Sequence, residues 1–392
     1  MIAVWLAGGV LSFFGALAFA ELGAAMPATG GQYVFLREAY SPLVAFLCGW
    51  SSFLTAQSAA IAWLGVSFAL YLGYFFPVGP WTGRVIGIAL IGIIAAINYR
   101  GVTLGAAVQK IFTGVKLLGL AALIVGAILT PSAPSSPVTA TAAFTWSAFG
   151  VGMIASLLSY DGWSTVSCVA GEIRNPQKNV LRALAIGVIV CIAVYLSVNL
   201  AYLRVFTVPE IASSDRIGAA LGERTMGSFG GTLVSITILI SIVGAINGWL
   251  LAQPRVYFAQ ARDGLFFRKF GEIHPRYRTP GFSILMQFAW ASVLIVTGSF
   301  EILITYAMFA LWLFYGLTVA GVILLRIRQP DLPRPYKMWG YPVTPVIFVA
   351  VSAWFVINTL IERPGPSLTA LAIILAGIPA YLLWRRKLTI RP

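Results

Sequence analysis

The chain has 392 residues, of which 59% are hydrophobic and only 10% are charged, and its mean hydropathy is +0.89. A soluble domain of this size does not need so much apolar surface. The composition therefore excludes the soluble classes and predicts an all-α polytopic membrane protein. The formal net charge of +14 raises the question of a nucleic-acid partner, which the positions of the charges answer below.

Eleven apolar segments follow one another, and they predict about eleven transmembrane helices. They cover residues 1–26, 42–76, 81–99, 103–129, 144–171, 181–206, 227–260, 281–298, 302–325, 341–361 and 367–385. The second segment is too long for one upright span and too short for two, which predicts one steeply tilted helix. The seventh carries Pro254, which predicts a kink near its end. The longest external loops are expected at Thr130–Ala143 and Thr207–Met226.

The basic residues are distributed unevenly between the two sides of these segments. With Arg385 placed in the cytoplasm, 21 of the 26 Lys and Arg residues fall on the inner side and five on the outer side. Positive charge is enriched on the cytoplasmic side, so we predict a multi-pass protein of the cell membrane with a cytoplasmic C-terminus. This explains the net charge, and no nucleic-acid partner is expected. Met1 then lies outside, so either the chain starts outside or, as we expect, a preceding helix is absent from this sequence.

The fifth segment, Phe144 to Gly171, carries polar residues at mid-depth. Its centre reads Leu158-Ser159-Tyr160-Asp161-Gly162-Trp163-Ser164. A carboxylate at that depth is costly, and Asp-Gly favours a helix break. We predict a discontinuous helix, Phe144–Tyr160 and then about Ser164–Gly171. Its unwound middle would bind a small polar ligand, and its second half would direct amide dipoles at an anionic group such as a carboxylate. The alternative is that Asp161 and Ser164 cap a kinked helix.

Three charged residues are each open to more than one interpretation. Asp161 is suited to pairing with a substrate cation, carrying a coupled proton, or capping the second half-helix. Lys116 is either a fixed ammonium in the place where another transporter holds a sodium ion, or a lysine that reaches the inner membrane surface. Glu21 ends the first segment and precedes Gly30-Gly31. It is either a gating contact or an ordinary interfacial carboxylate.

The sequence lacks the motifs of catalysis and of metal binding. Its three cysteines lie inside apolar segments without metal-ligand spacing, and its only histidine, His274, lies in a basic loop. These residues give no basis for a histidine triad or a metal site. No phosphate-binding loop indicates an ATP-driven pump, and no repeated filter loop indicates a channel. We therefore expect no enzyme, no cofactor and no metal.

Several motifs, in this order along the chain, resemble the amino acid–polyamine–organocation superfamily, and most closely its L-type amino-acid transporter branch. They are Phe19-Ala20-Glu21-Leu22-Gly23 with Pro27, Gly30-Gly31 and Tyr33; Gln109 to Leu118; Tyr160-Asp161-Gly162-Trp163 with Gly171-Glu172-Ile173-Arg174-Asn175-Pro176; Asn199-Leu200-Ala201-Tyr202; Asn247-Gly248 with Arg255 and Arg262-Asp263-Gly264; and Arg328-Gln329-Pro330-Asp331-Leu332-Pro333-Arg334-Pro335-Tyr336. Each motif is weak singly, but together they cover nearly the whole chain.

The resemblance implies a LeuT-like fold of two inverted five-helix repeats and two peripheral helices. Residues 1–392 would form one transporter domain. Within it, 1–129 would be an incomplete first repeat, 144–325 the second repeat, and 341–385 the peripheral helices. The helix missing from the first repeat would be the family's other discontinuous helix, which normally helps to hold the substrate carboxylate.

The resemblance also assigns roles to individual residues. Leu158–Trp163 would be the unwound part of the sixth family helix, with Leu158 where many members have an aromatic gate and Asp161 where many have a small residue. Some relatives with cationic substrates share this aspartate. Lys116 would place its ammonium where sodium binds elsewhere, and Tyr202 matches a seventh-helix tyrosine near the site. The loop Pro77–Gly83 lacks the cysteine that joins animal members to a heavy chain, so no covalent partner is expected.

These observations predict a secondary active amino-acid transporter, a sodium-independent exchanger or permease that works by alternating access. Its partners would be a small amino-acid substrate and the lipid membrane. The alternative hypothesis is a truncated, non-transporting membrane protein that binds or senses its ligand, and the missing first helix motivates it. The sequence leaves open which amino acid is carried and whether a proton is coupled.

Overall fold

The computed structural model describes residues 1–131, 145–170, 173–298 and 300–389, and these residues are overwhelmingly helical. The helices are α1 Ile2–Ala25, α2 Gln32–Ala39, α3 Pro42–Ser51, α4 Gln57–Leu72, α5 Pro80–Arg100, α6 Val102–Leu129, α7 Trp146–Tyr160, α8 Thr165–Cys168, α9 Pro176–Val205, α10 Val208–Ser213, α11 Ile217–Ala252, α12 Pro254–Arg262, α13 Gly281–Thr297, α14 Phe300–Arg328, α15 Val343–Glu362 and α16 Pro364–Thr389. This confirms the predicted all-α class.

The predicted number of spans agrees with the helices of the described residues. Nine helical stretches among them are long and apolar enough to cross a membrane, and two shorter apolar helices, α7 and α13, complete the predicted set of eleven. The connections 26–41, 173–175, 263–280 and 329–342 lie at one end of the bundle, which we call the basic end because it carries most of the Lys and Arg residues.

The second predicted segment is one continuous helical stretch, as expected. A π-helical turn, Ser52–Ala56, joins α3 to α4. Such turns release a backbone carbonyl from the helical pattern, and here the indole of Trp290 donates to the Leu54 carbonyl at 2.8 Å. The tilt of this helix relative to a membrane stays a prediction.

The seventh segment differs from its prediction. Helix α11 begins at Ile217, ten residues early, and reverses direction at Gly227, where φ is 67°. A Cβ atom at Gly222 would lie 2.5 Å from the carbonyl oxygen of Gly230, so residues 217–226 fold back against the rest of α11. The predicted external loop Thr207–Met226 is therefore wrong, because α10 and this first part of α11 are helical. The break at Pro254, where α12 begins, confirms the predicted kink.

The Thr207 end of this connection is fixed by a capping box. The backbone amide of Thr207 donates to the Glu210 carboxylate at 2.7 Å, and the Arg224 guanidinium donates to the same carboxylate at 2.9 Å. These bonds hold the pKa of Glu210 at about 2, well below its usual range. Most of the other predicted loop, Thr130–Ala143, lies outside the described residues.

Small residues on α1 allow it to pack closely against the helix that carries the polar stretch. A Cβ atom at Gly8 would lie 2.5 Å from the Ser156 hydroxyl, and one at Gly15 would lie 2.6 Å from the Trp163 ring. Close helix packing through glycine is characteristic of membrane interiors. It places α1 directly beside the polar stretch of α7 and α8.

Candidate functional site

The helix break predicted at Asp161-Gly162 is present. Helix α7 ends at Tyr160, Asp161 is extended (φ −66°, ψ 158°), and α8 begins only at Thr165. Gly162 has φ of 114°, a conformation that side-chain-bearing residues rarely adopt. The predicted discontinuous helix is confirmed, although the boundary residues Phe144 and Gly171 lie outside the described residues.

The second half-helix is shorter than predicted. Helix α8 covers only Thr165–Cys168, whereas Ser164–Gly171 was expected. A helix dipole arises from aligned peptide groups, so four residues contribute less than the expected eight. The polar character of the break therefore comes mainly from its own unwound backbone and side chains.

One tyrosine of α14 organises the polar side chains of the break. The Tyr315 hydroxyl donates to Asp161 Oδ1 at 2.7 Å and is hydrogen-bonded to the Ser164 hydroxyl at 2.8 Å. The Ser164 side chain forms no capping bond to α8. Among the described residues, no cationic side chain forms an ion pair with Asp161. Its carboxylate is thus positioned by a hydroxyl and left without a fixed counter-charge.

A second tyrosine receives the backbone released by the break. Because α7 stops at Tyr160, the last carbonyls of the helix lack their usual intrahelical donors. The Tyr195 hydroxyl of α9 donates to the Ser159 carbonyl at 2.9 Å. The rings of Tyr195 and Tyr160 also pack edge to face, with centroids 5.0 Å apart. Helix α9 therefore stabilises the open end of α7.

The predicted binding residues Leu158–Trp163 do not share one environment. Leu158 and Tyr160 are buried, Ser159 is exposed, and its hydroxyl donates to the Ala155 carbonyl of the same helix at 2.8 Å. Trp163 is buried between Phe19 and Tyr315, with ring centroids at 4.9 and 4.8 Å. The tryptophan therefore anchors the break to α1 and α14.

Lys116 lies about halfway along α6 and partly buried, next to a cavity of about 50 Å³. The cavity lining includes Ala245 of α11. Four residues further along α11, Trp249 faces the break, since a Cβ atom at Gly162 would lie 3.9 Å from its indole nitrogen. Residues four apart lie on one face of a helix. The lysine cavity and the break thus adjoin the same face of α11, about one turn apart.

Glu21 lies near the basic end of α1, two residues after Phe19, which packs against Trp163. It is 1% exposed, and both its oxygens accept from the Arg326 guanidinium, at 2.9 and 2.6 Å. Arg334 lies 3.6 Å from the same carboxylate, and the Met338 backbone amide donates to it at 2.7 Å. Glu21 therefore ties the connection 329–342 and the end of α14 to α1.

Tyr202 lies apart from both the break and Glu21, near the end of the bundle opposite the basic end. It packs against an apolar cluster formed by α6, α9 and α11, and a Cβ atom at Gly218 would lie 3.6 Å from its hydroxyl. On α9 it is Tyr195, seven residues earlier, whose side chain bonds to the broken helix. The structure thus brings Asp161 and its neighbours together and places Lys116 nearby, whereas Glu21 and Tyr202 occupy other parts of the bundle.

Sequence reasoning did not single out Tyr315, Tyr195 or Trp249. Each lies in a long apolar helix where an aromatic residue is the expected core residue, and neither tyrosine belongs to a local motif. Hydroxyl-bearing aromatics at mid-helix were the only available signal, because a buried tyrosine hydroxyl usually finds a partner. No group of three His, Cys, Asp or Glu side chains within the described parts of the chain is suited to a metal ion.

The chain is similar to known proteins over nearly its whole length. A family model described as amino acid permease matches residues 1–383. The chain belongs to the amino acid permease family. As a permease it is a multi-pass membrane protein and a transporter rather than an enzyme. This confirms the resemblance to the amino acid–polyamine–organocation superfamily and the prediction of a secondary amino-acid transporter.

Three named relatives show how far the similarity extends. A serine/threonine exchanger of Bacillus subtilis is 33% identical over 96% of this chain and 86% of its own length. The human b(0,+)-type amino acid transporter 1 is 32% identical, over 97% of this chain and 80% of its own length. The mouse Asc-type amino acid transporter 1 is 32% identical, over 98% and 74%. All three are transporters or exchangers, which does not favour the non-transporting alternative.

Proposed function

We propose that this permease exchanges amino acids across the membrane without sodium, by alternating access, and that the substrate binds at the helix break. One observation carries the proposal. The Asp161 carboxylate is held by Tyr315, at the middle of α14, beside unwound backbone, and no cation of the described residues forms an ion pair with it. An ionisable group kept in such a place is usually functional. The exchanger among the relatives supports the class of activity.

The break offers complementary groups for the two charged ends of an amino acid. Backbone amides of the unwound turn suit the substrate carboxylate, as in other transporters with broken helices. The Asp161 carboxylate suits a substrate cation, either the α-amino group or a basic side chain. Because the carboxylate is anchored by a hydroxyl and not by a guanidinium, a substrate cation would complete its charge balance.

We propose that Lys116 is the coupling residue, which takes the place of a sodium ion. Its ammonium would occupy the place of a sodium ion and stabilise the bundle between α6 and α11 at the level of the break. The position of its cavity, one turn from Trp249 on the same face of α11, supports this role over that of a lysine at the membrane surface. Replacing Lys116 by Ala should then reduce exchange at least tenfold without introducing a sodium requirement.

Glu21 would act at the inner gate, through its contacts with α14 and the connection 329–342. Tyr202 would act at the outer gate, where it packs against the folded-back start of α11. Binding energy that differs between inward- and outward-open states would drive the cycle. The gating roles predict that substitutions at Glu21 and Tyr202 change the rate of exchange more than the affinity for substrate.

We further propose the repeat organisation and the membrane location that the sequence predicts. Residues 1–129 would form part of a first repeat, 144–325 the second repeat beginning with the broken helix, and 341–385 the peripheral helices. The protein would reside in the cell membrane with its basic end in the cytoplasm. None of its three cysteines lies in the connection between α4 and α5, so no covalent heavy-chain partner is proposed.

The decisive test is exchange in proteoliposomes loaded with unlabelled amino acid. Radiolabelled serine, leucine and arginine would be offered outside, with and without sodium and with and without internal substrate. Uptake that needs internal amino acid but not sodium supports the exchanger. Binding to the purified protein without any flux would overturn it and restore the binding or sensing alternative.

The same vesicles test which group of the substrate Asp161 binds. In Asp161→Gly, a loss of arginine exchange with leucine exchange retained assigns the carboxylate to a basic side chain. Loss of both assigns it to the α-amino group that all substrates share. Unchanged exchange of both substrates would remove Asp161 from the binding site.

A further inference from the structure

The connection between α12 and α13 concentrates exposed positive charge at one edge of the basic end. Its exposed cations are Arg262, Arg268, Lys269, Arg276 and Arg278. Of the two carboxylates in the same stretch, Asp263 is already paired with Arg37 at 2.5 Å, which leaves Glu272. The surface therefore carries a clear excess of positive charge.

A cavity of about 320 Å³ opens within this surface, with a mainly polar lining that includes Arg262, Arg268 and Glu272. The nearby Lys269 ammonium lies 5.9 Å from the Phe282 ring centroid. No carboxylate of the described residues lies within ion-pair distance of Arg262, Arg268 or Lys269. The cavity thus combines space for a small anionic group with cations that lack a fixed partner charge.

The neighbouring apolar side chains indicate that this surface faces lipid and not only water. Phe267 is 57% exposed, and its ring packs against Trp384 of α16 with centroids 5.0 Å apart. Ile273, four residues after Lys269, is 53% exposed. A tryptophan beside cations at the end of a membrane-spanning helix is characteristic of the membrane–water interface. Soluble anions would need the cations but not these exposed apolar groups.

We propose that residues 262–278 form a binding surface for the phosphate headgroup of an anionic phospholipid. Arg262 and Arg268 contact the phosphate in the cavity, and Lys269 adds to the attraction. Phe267 and Ile273 insert at the level of the acyl-chain boundary. Clusters of this kind next to a membrane span gain affinity for anionic lipid with each basic residue.

The test measures lipid binding directly and so does not depend on the proposed transport activity. The protein in neutral detergent micelles is titrated with phosphatidylglycerol and, separately, with phosphatidylcholine. The double variant Arg268→Gln/Lys269→Gln is compared with Arg84→Gln/Arg216→Gln, which removes two cations at the opposite end. The first variant should bind phosphatidylglycerol about 30-fold more weakly, as expected for two basic residues, and the control should bind as the unaltered protein does.

A measurement on the unaltered protein covers the case in which the double variant does not fold. Raising the salt concentration from 0.1 M to 1 M shortens the Debye length from about 10 Å to about 3 Å, and it should weaken phosphatidylglycerol binding while leaving phosphatidylcholine binding unchanged. Equal affinity for the two lipids, or an equal loss in the control variant, would overturn the proposal. Inorganic phosphate that binds alone and displaces the lipid would show a site for soluble anions instead.

Discussion

Asp161 and Glu21 are both carboxylates inside an apolar bundle, but their surroundings differ in charge. Glu21 is almost fully buried, and it is bonded to Arg326, close to Arg334 and bonded to a backbone amide. Asp161 is partly buried and accepts a hydrogen bond from the neutral hydroxyl of Tyr315. The two sites therefore hold the same chemical group with and without fixed counter-charges.

This difference separates a carboxylate that holds parts of the bundle together through fixed ion pairs from one that is available to a substrate. A buried carboxylate that already has two cations gains little from a further positive ligand, and its removal leaves those cations uncompensated. A carboxylate held by neutral hydrogen-bond donors remains able to bind a cation or a proton. We therefore expect substitutions at Glu21 to lower stability as well as the rate of gating, and those at Asp161 to act on transport with little loss of stability.

The largest effect is expected for Glu21→Gln. The substitution leaves the partly buried Arg326 and Arg334 beside a neutral side chain, and breaking a buried ion pair costs about 3 kcal/mol or more of folding free energy. Thermal unfolding of the detergent-solubilised protein measures the loss. Glu38→Gln removes an exposed carboxylate from a pair with Arg37 and serves as control, with an expected cost below about 1 kcal/mol. Equal costs for the two variants would contradict the structural role.

Asp161→Asn should lower the rate of exchange strongly and the stability only slightly. Loss of a charged hydrogen bond to the substrate corresponds to about 1.5–3 kcal/mol, or about 10- to 150-fold in kcat/KM for exchange. The thermal midpoint should change little, because asparagine still accepts from Tyr315. Exchange kinetics and thermal unfolding of the same preparation give both numbers. An Asp161→Asn variant with a lowered thermal midpoint and normal exchange would contradict the transport role of Asp161.

Tyr315→Phe tests whether positioning of the carboxylate matters. The substitution keeps the ring between Phe19 and Trp163 but removes the hydroxyl shared by Asp161 and Ser164. A lost buried hydrogen bond of about 1 kcal/mol corresponds to a roughly fivefold fall in exchange. Tyr306→Phe, on the same helix, is the matched control. The positioning role also predicts little additional loss when Tyr315→Phe is combined with Asp161→Asn.

The smallest effect concerns Glu210, an exposed carboxylate outside the spans. Its pKa is lowered to about 2 by the Thr207 amide and the Arg224 guanidinium. A lowered folded pKa contributes stability above the unfolded pKa, near 4.3, that is lost as the pH falls towards 2. Glu210→Gln should thus be slightly less stable at pH 7, with the difference shrinking below pH 4. Thermal unfolding of the two proteins at pH 7 and at pH 3 measures this difference.

The break at Asp161-Gly162 was predictable because its signal is local. A carboxylate next to a glycine inside an apolar run conflicts with helix propensity and with membrane solvation at the same residues. The early start of α11 was missed because its first helix depends on Gly227 and on packing of residues 217–226 against the later turns. The short α8 was missed for a related reason, since hydropathy does not indicate where a helix ends.

By itself, the sequence determined the membrane class, the eleven apolar segments, the broken helix and, through its motifs, the family. These features follow from hydropathy, local backbone preference and the order of short motifs, all of which are properties of neighbouring residues. Only the tertiary structure decided which charges are neutralised. Asp161 meets Tyr315 across 154 residues and Glu21 meets Arg326 across 305. No local pattern encodes such distant contacts, because helix packing alone brings these side chains together.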